Sequence, residues 1–158
     1  FRYASDPDVT RFLLFGPHTQ LSQSVEFSRE RLKRIAEGTS ITWVILEKTD
    51  ERPFGAIELS IAGREADVGY VLAKSHWGHG IAPEAVRAVL KFARGQLSLE
   101  RVNGSCDWEN TRSARVFEKC GFRNLGPRES ALVHPALGAE PRPALYFEYV
   151  LETGSGGT

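Results

Sequence analysis

The residues best suited to chemistry fall into three groups. Gly78 and Gly80, two apart, separate an apolar run at 68–73 from an amphipathic run that begins at about Pro83. Asn110 and Ser113 form an Asn-x-x-Ser pair at the start of another helical pattern. Glu58 sits in the run 54–61, on the face opposite Ile57, Leu59 and Ile61, and Asp67 follows in the next run. A carboxylate inside a sheet needs a partner or a job.

Strand, glycine loop and helix N-terminus make an anion site from backbone alone. Glycine lets the chain pass close to a ligand. The first helical turn leaves N–H groups unpaired, and the helix dipole adds partial positive charge there. A phosphate or pyrophosphate suits such a site. The spacing is not that of a Walker loop, since no Lys-Ser or Lys-Thr follows. Nor is it the dinucleotide G-x-G-x-x-G, since Pro83 follows and no third glycine appears. A tight turn that binds nothing is the alternative for a lone G-x-G.

The elements that must position these residues are legible in outline. Pro83 suits helix position N1 and Glu84 the first turn. Val86, Val89, Leu90 and Ala93 recur at i, i+3, i+4 and i+7, and Gly95 reads as the stop. Residues 101–108 read as a strand. The next helix has Asn110 as N-cap and Gly121 as C′, followed by apolar Phe122.

Upstream, residues 6–15 suit a short helix ending near Gly16-Pro17. A second helix runs to about Glu37, capped by Thr19 or Ser22, with Val25, Ser28, Leu32 and Ile35 on one face. Its basic residues Arg29, Arg31, Lys33 and Arg34 read as a solvated surface. Residues 41–47 are apolar on both faces, which predicts a central strand. A turn at 50–53, a strand at 54–61, a turn near Gly63-Arg64 and a strand at 66–73 form an antiparallel meander. Residues 123–143, rich in proline and glycine, read as a long loop, and 145–151 as a closing strand.

The chain has 158 residues, enough for one domain with a core. We expect a single domain over 1–153 and a flexible tail or linker at 154–158. The formal net charge is +0, which argues against nucleic acid or an anionic membrane as the main partner. Cys106 and Cys120 are too few for a disulfide framework and read as reduced, buried thiols. No run is long and apolar enough to span a bilayer, and no signal peptide is visible, so the expected location is cytoplasmic. The sequence holds no methionine, so Phe1 is not expected to be a natural start.

Taken in order, Val68-Gly69-Tyr70-Val71-Leu72, Trp77-Gly78-His79-Gly80-Ile81-Ala82-Pro83-Glu84-Ala85, Glu109-Asn110-x-x-Ser113 and Glu118-Lys119-Cys120-Gly121-Phe122 resemble the GNAT superfamily of acyl-CoA N-acyltransferases. The likeness is closest to the branch of ribosomal-protein N-terminal acetyltransferases. The resemblance implies an α/β (α+β) GNAT fold. Its mixed, mostly antiparallel sheet is splayed between two parallel strands, here 66–73 and 101–108, with helices on both faces. The family usually opens on a strand before the first helix, and that strand is missing here.

The resemblance also implies a chemistry, transfer of an acetyl group from acetyl-CoA to an amine in a ternary complex. The pantetheine arm would bond amides near Tyr70, Val71 and Leu72. The amides of Gly78, His79, Gly80, Ile81 and Ala82 would hold the pyrophosphate. The family often has Gln or Arg at Trp77, a substitution that matters little if backbone does the binding. Asn110 would reach toward the arm and Phe117 would pack beside it. The Leu72 amide would steady the tetrahedral oxyanion.

Relatives often place a tyrosine acid where this chain has Phe117. In the ribosomal branch the serine of Asn-x-x-Ser has that role, so Ser113 is the candidate acid for the leaving thiolate. A second reading, an N3 residue bonding local backbone, stays open. Glu58 is the first candidate base and Asp67 the second, either working through a water. His18 and His134 lie in loops that could rim the acceptor pocket. His76 is expected to be exposed, and the amide of His79 matters more than its ring. No metal is expected.

The acceptor is a protein N-terminus or a small amine. The protein is expected to be a monomer or homodimer. A CoA-binding module that senses without catalysis is the alternative, supported by Phe117 in place of tyrosine.

Overall fold

A computed structural model describes residues 1–49 and 51–151. Asp50, in the expected turn, and the expected tail at 154–158 lie outside the described residues. The elements run α1 (Pro7–Thr10), α2 (Leu21–Ala36), β1 (Ser40–Leu46), β2 (Pro53–Ala62) and β3 (Glu65–Leu72), and then a 3₁₀ turn (Lys74–His76). They continue with α3 (Ile81–Gln96), β4 (Arg101–Asp107), α4 (Thr111–Lys119), β5 (Arg123–Leu132) and β6 (Arg142–Val150). The six strands form one sheet in the order β1-β2-β3-β4-β6-β5. Among the described residues, only β3 and β4 pair in parallel. This is the expected GNAT architecture.

The parallel pair is where the sheet opens. β3 and β4 are eight and seven residues long. They pair only at Glu65↔Arg101, Ala66↔Val102 and Asp67↔Asn103. Beyond Asp67 the strands diverge, and backbone groups of β3 face a gap rather than a neighbour. Parity assigns those groups. The Ala73 amide bonds the Phe54 carbonyl of β2, and the register between β2 and β3 is unbroken. Alternation therefore directs the Tyr70 and Leu72 amides into the gap and the Val71 amide toward β2.

One face of the sheet carries the apolar core. The expected stripe of α3 is buried there: Val86, Val89, Leu90 and Ala93 are at most 6% exposed. Each of the three larger side chains contributes about 1.5–3 kcal/mol by leaving water. Ile57, Leu59, Val68 and Phe117 join the same cluster. Both cysteines are free and buried.

Several expectations are corrected. Gly80, at φ 78°, is the N-cap of α3, so Pro83 falls at N3 rather than N1. A proline is harmless in either place, because first-turn N–H groups have no helical partner. The helix passes Gly95 and ends at Gln96, where Leu97 turns extended. Residues 123–132 form β5 instead of a loop. This strand lies at the sheet edge, exposed on both faces, where Pro127 costs no ladder bond and alternation leaves no signal. Its pairing is broken twice, near Gly126 and Ser130, both at positive φ.

β1, expected to be central, ends the sheet among the described residues, with Val44 59% and Leu46 46% exposed. The helix α2 is capped by Gln20, not Thr19 or Ser22, in a reciprocal box with Gln23. It is also rotated from expectation. Val25, Leu32 and Ile35 are exposed, and the half-buried stripe is Ser24, Phe27, Arg31 and Arg34. The partner waiting on the sheet explains the rotation.

Candidate active site

That partner is Glu58. Its carboxylate points to the α2 face of β2 and is 14% exposed. Arg31 Nη1 donates to both its oxygens at 2.7 and 2.9 Å, and Arg34 Nη1 donates at 2.9 Å. The Thr42 and Ser60 hydroxyls donate as well, at 3.2 and 3.0 Å. An unpaired charge here would cost about 3–5 kcal/mol, which favours turning the arginines toward the sheet. Sequence reasoning read Arg31 and Arg34 as solvated. The signal that would have found them is the i, i+3, i+7, i+10 spacing of Ser24, Phe27, Arg31 and Arg34. Arg29 and Lys33 do remain exposed.

Across the sheet from Glu58 is Gly69, and from Ser60 is Asp67. The missing side chain at Gly69 leaves room beside the Glu58 carboxylate. The carboxyl of Asp67 is raised above its ordinary value by desolvation and then by the Glu65 charge. Glu58, Gly69 and Asp67 all line a cleft of about 1200 Å³ that runs through the β3–β4 gap.

The far side of the cleft is built from α4. Asn110 caps the helix, its side-chain oxygen accepting from the Ser113 amide at 3.2 Å. The Ser113 hydroxyl bonds a distant side chain instead of local backbone. It lies 2.8 Å from the Tyr70 hydroxyl, 43 residues away on β3. The Tyr70 ring packs edge-on to Phe117. Burial pushes the Tyr70 phenol up to about 12, with the Ser113 bond opposing. Sequence reasoning used only the Tyr70 amide. Its side chain could have been placed from parity with buried Val68 and Leu72.

Phe117 is 1% exposed and stacks on Phe147 with ring centroids 5.0 Å apart. The helix ends in a Schellman motif: the Phe122 amide bonds Phe117 and the Gly121 amide bonds Glu118. At the cleft mouth, Gly78 and Gly80 hold φ of 80° and 78°, and both line the cleft with Ile81 and Ala82. Ile81 and Ala82 are N1 and N2 of α3, with amides free of intrahelical bonds. His79 is exposed on the loop. The Trp77 indole is more than filler, since its Nε1 donates to the Leu72 carbonyl at 2.9 Å and Arg112 stacks over it.

The remaining histidines separate. His134 lines the cleft and is buried, with Nδ1 3.2 Å from the Leu13 carbonyl and Nε2 3.4 Å from Asp107. Burial raises the fully buried Asp107 carboxyl, but the Arg142 guanidinium and Glu109 amide outweigh it and hold it below its usual value. His18 is buried against Phe15 and Phe27, with Nδ1 2.7 Å from Ser24 Oγ. His76, expected to be exposed, is half-buried, stacked on Phe54 and 2.5 Å from Glu47.

A sheet splayed at one parallel pair, above a glycine-capped helix, matches what comparison shows. The family model for the acetyltransferase (GNAT) domain matches residues 1–123. The chain belongs to the GNAT acetyltransferases. This GNAT enzyme is 29% identical over 128 residues to the uncharacterized N-acetyltransferase p20 of Bacillus licheniformis, covering 79% of the chain and 72% of that protein. It superposes on spermidine N-acetyltransferase from Vibrio cholerae, solved with CoA and spermine, with a TM-score of 0.79 and 16% identity over 96% of the chain and 88% of that structure. It is also similar to ribosomal-protein-S5-alanine acetyltransferase from Vibrio fischeri, with a TM-score of 0.70 and 19% identity over 78% and 68%. Among the described residues no helix is long and apolar enough to cross a membrane.

Proposed function

We propose that this GNAT enzyme takes acetyl-CoA into the β3–β4 gap and transfers the acetyl group directly to a primary amine bound on the α2 face. The gap carries the reading. Two strands that pair at only three positions leave the Tyr70 and Leu72 amides without a strand beside them. A pantetheine arm would complete that edge. The first-turn amides of α3, with those of Gly78, His79 and Gly80, would hold the pyrophosphate. Asn110 and Phe117 would flank the arm, and the Val71 side chain would line its channel.

The transfer needs three things from the protein. The Leu72 amide faces the gap and suits the oxyanion. Ser113 would protonate the departing thiolate, because it lines the cleft and its hydroxyl bonds another hydroxyl rather than the backbone. The amine would approach over Gly69, beside Glu58. Five hydrogen bonds occupy the Glu58 oxygens, so a proton reaches it by displacing one donor or through a water. After attack the nitrogen is positively charged and far more acidic, which is when that transfer is easiest. Asp67, one register step further from the gap, is the second candidate base.

The acceptor is a protein N-terminus or a small-molecule amine, the two classes seen in the names of the spermidine and ribosomal-protein relatives. Thiol release from acetyl-CoA, screened over Ala- and Ser-initiated peptides, amino acids and polyamines, tests this reading. Turnover with any of them supports transfer. Acetyl-CoA binding with no turnover across the panel favours the sensing module, the reading that Phe117 in place of a tyrosine recommends.

A further inference from the structure

We infer that the Tyr70 phenol stands behind Ser113 as the source of the proton given to the leaving thiolate. This rests on the proposed role of Ser113. The two hydroxyls are 2.8 Å apart, one from β3 and one from the first turn of α4. The Ser113 hydroxyl bonds Tyr70 rather than the backbone, while its amide is capped by Asn110. The half-buried Tyr70 ring packs edge-on against Phe117, and its hydroxyl finds its partner in Ser113. A half-buried phenol bonded to a serine at a cleft wall is positioned for more than packing.

The proton count is simple. The S–H bond of CoA forms as the Ser113 O–H bond breaks. Ser113 regains a proton as the Tyr70 O–H bond breaks. The charge that began on sulfur ends on the phenolate, and water returns a proton to Tyr70 as products leave. No oxidation or reduction occurs. A phenol is a far stronger acid than an aliphatic hydroxyl, so the charge rests on Tyr70 more readily than on a lone serine. Tyr70 touches Ser113 and not the thiolate, so it is a positioning residue that also holds the charge.

Acid strengths support the geometry. Burial places the Tyr70 phenol at about 12. The Cys106 thiol, in the same cleft wall, is pushed up to about 12 by burial and then by the Asp107 charge. Cys106 of β4 and Cys120 after α4 are the titratable groups whose charge acts on Tyr70.

The test measures kcat with acetyl-CoA and the best wild-type amine from the peptide, amino-acid and polyamine panel. Tyr70→Phe is expected to lower kcat at least about tenfold, while acetyl-CoA affinity changes less than about twofold. The Tyr70→Phe and Ser113→Ala effects should not add. Trifluorotyrosine at position 70 keeps the shape and acidifies the phenol. The wild type should hold its kcat to about pH 10 and above, and the fluorinated enzyme should lose activity within that range. A purely structural tyrosine would not bring a falling alkaline limb. Loss in Ser113→Ala with none in Tyr70→Phe overturns the relay and leaves the serine reading standing. No loss in either overturns both. A fluorinated enzyme with the wild-type profile overturns the relay even if Tyr70→Phe misfolds.

Discussion

The Phe117 ring lies so close to Gly104 that a Cβ there would come within 2.4 Å of it. This contact docks α4 onto β4. Ser113 is one turn before Phe117 on the same helix face, so the contact also sets where the Ser113 hydroxyl stands. Phe122, Phe147 and Tyr70 surround the ring and leave it no room to retreat. Gly104→Ala is therefore expected to destabilise the fold by about 1–3 kcal/mol, as overpacking does. Denaturant unfolding measures it, and an unchanged midpoint would mean the ring can slide away.

Ser113→Ala tests the acid. In this variant kcat is expected to fall about 10–10³-fold with acetyl-CoA affinity nearly unchanged. The helix should not unravel, because its cap is the Asn110 side chain. Steady-state kinetics beside a calorimetric titration separates the two effects. An unaltered kcat would remove Ser113 from the chemistry.

Glu58 and Asp67 can be told apart by pH. Glu58 faces Gly69, nearer the gap, and is expected to be the group whose ionisation gives the acidic limb of kcat/KM. Glu58→Gln should abolish that limb. Asp67→Asn should keep it, although the raised Asp67 carboxyl titrates at higher pH than an ordinary aspartate. Loss of the limb in Asp67→Asn alone would reverse the assignment.

Half-buried Arg142, at the start of β6, pairs with fully buried Asp107 at the end of β4, with Nε and Oδ2 2.7 Å apart. The Asp107 carboxyl is lowered in the folded state. Its stabilisation is therefore present above the unfolded value, about 3.9, and lost as pH falls through the lower folded value. Arg142→Gln leaves the carboxylate with the Glu109 amide and His134 but without its guanidinium, and should cost about 1–3 kcal/mol near neutral pH. The deficit should begin to shrink as pH falls below about 4 and should close only below the lowered folded value, where the carboxyl is protonated in both states. Thermal unfolding across pH checks this, and a deficit that grows with acid would refute it.

The sequence carried the site's spine better than its acceptor side. The stripe of α3, the Asn110 cap and the Gly121 stop depend on local periodicity and backbone conformation, so they could be read directly. The two parallel strands could be named, but the extent of their splay depends on pairing that only the fold sets. The Glu58 clamp was hidden because Arg31 and Arg34 look like surface residues until the helix is docked. β5 was hidden because an edge strand shows neither alternation nor an apolar run. Tyr70 and Ser113 are 43 residues apart, and nothing local links them.

The central claim is that the glycine-capped end of α3 and the β3–β4 gap hold acetyl-CoA. Calorimetric titration of acetyl-CoA into the wild type and the Gly80→Glu variant tests it most directly. A Cβ at Gly80 meets no atom within 4 Å, so the variant's effect on the fold is limited to the strain of φ 78°, about 1–2 kcal/mol. The added carboxylate would face the pyrophosphate. The account predicts binding by the wild type and its loss in a variant that still unfolds cooperatively. Equal affinity in the two proteins would contradict the site.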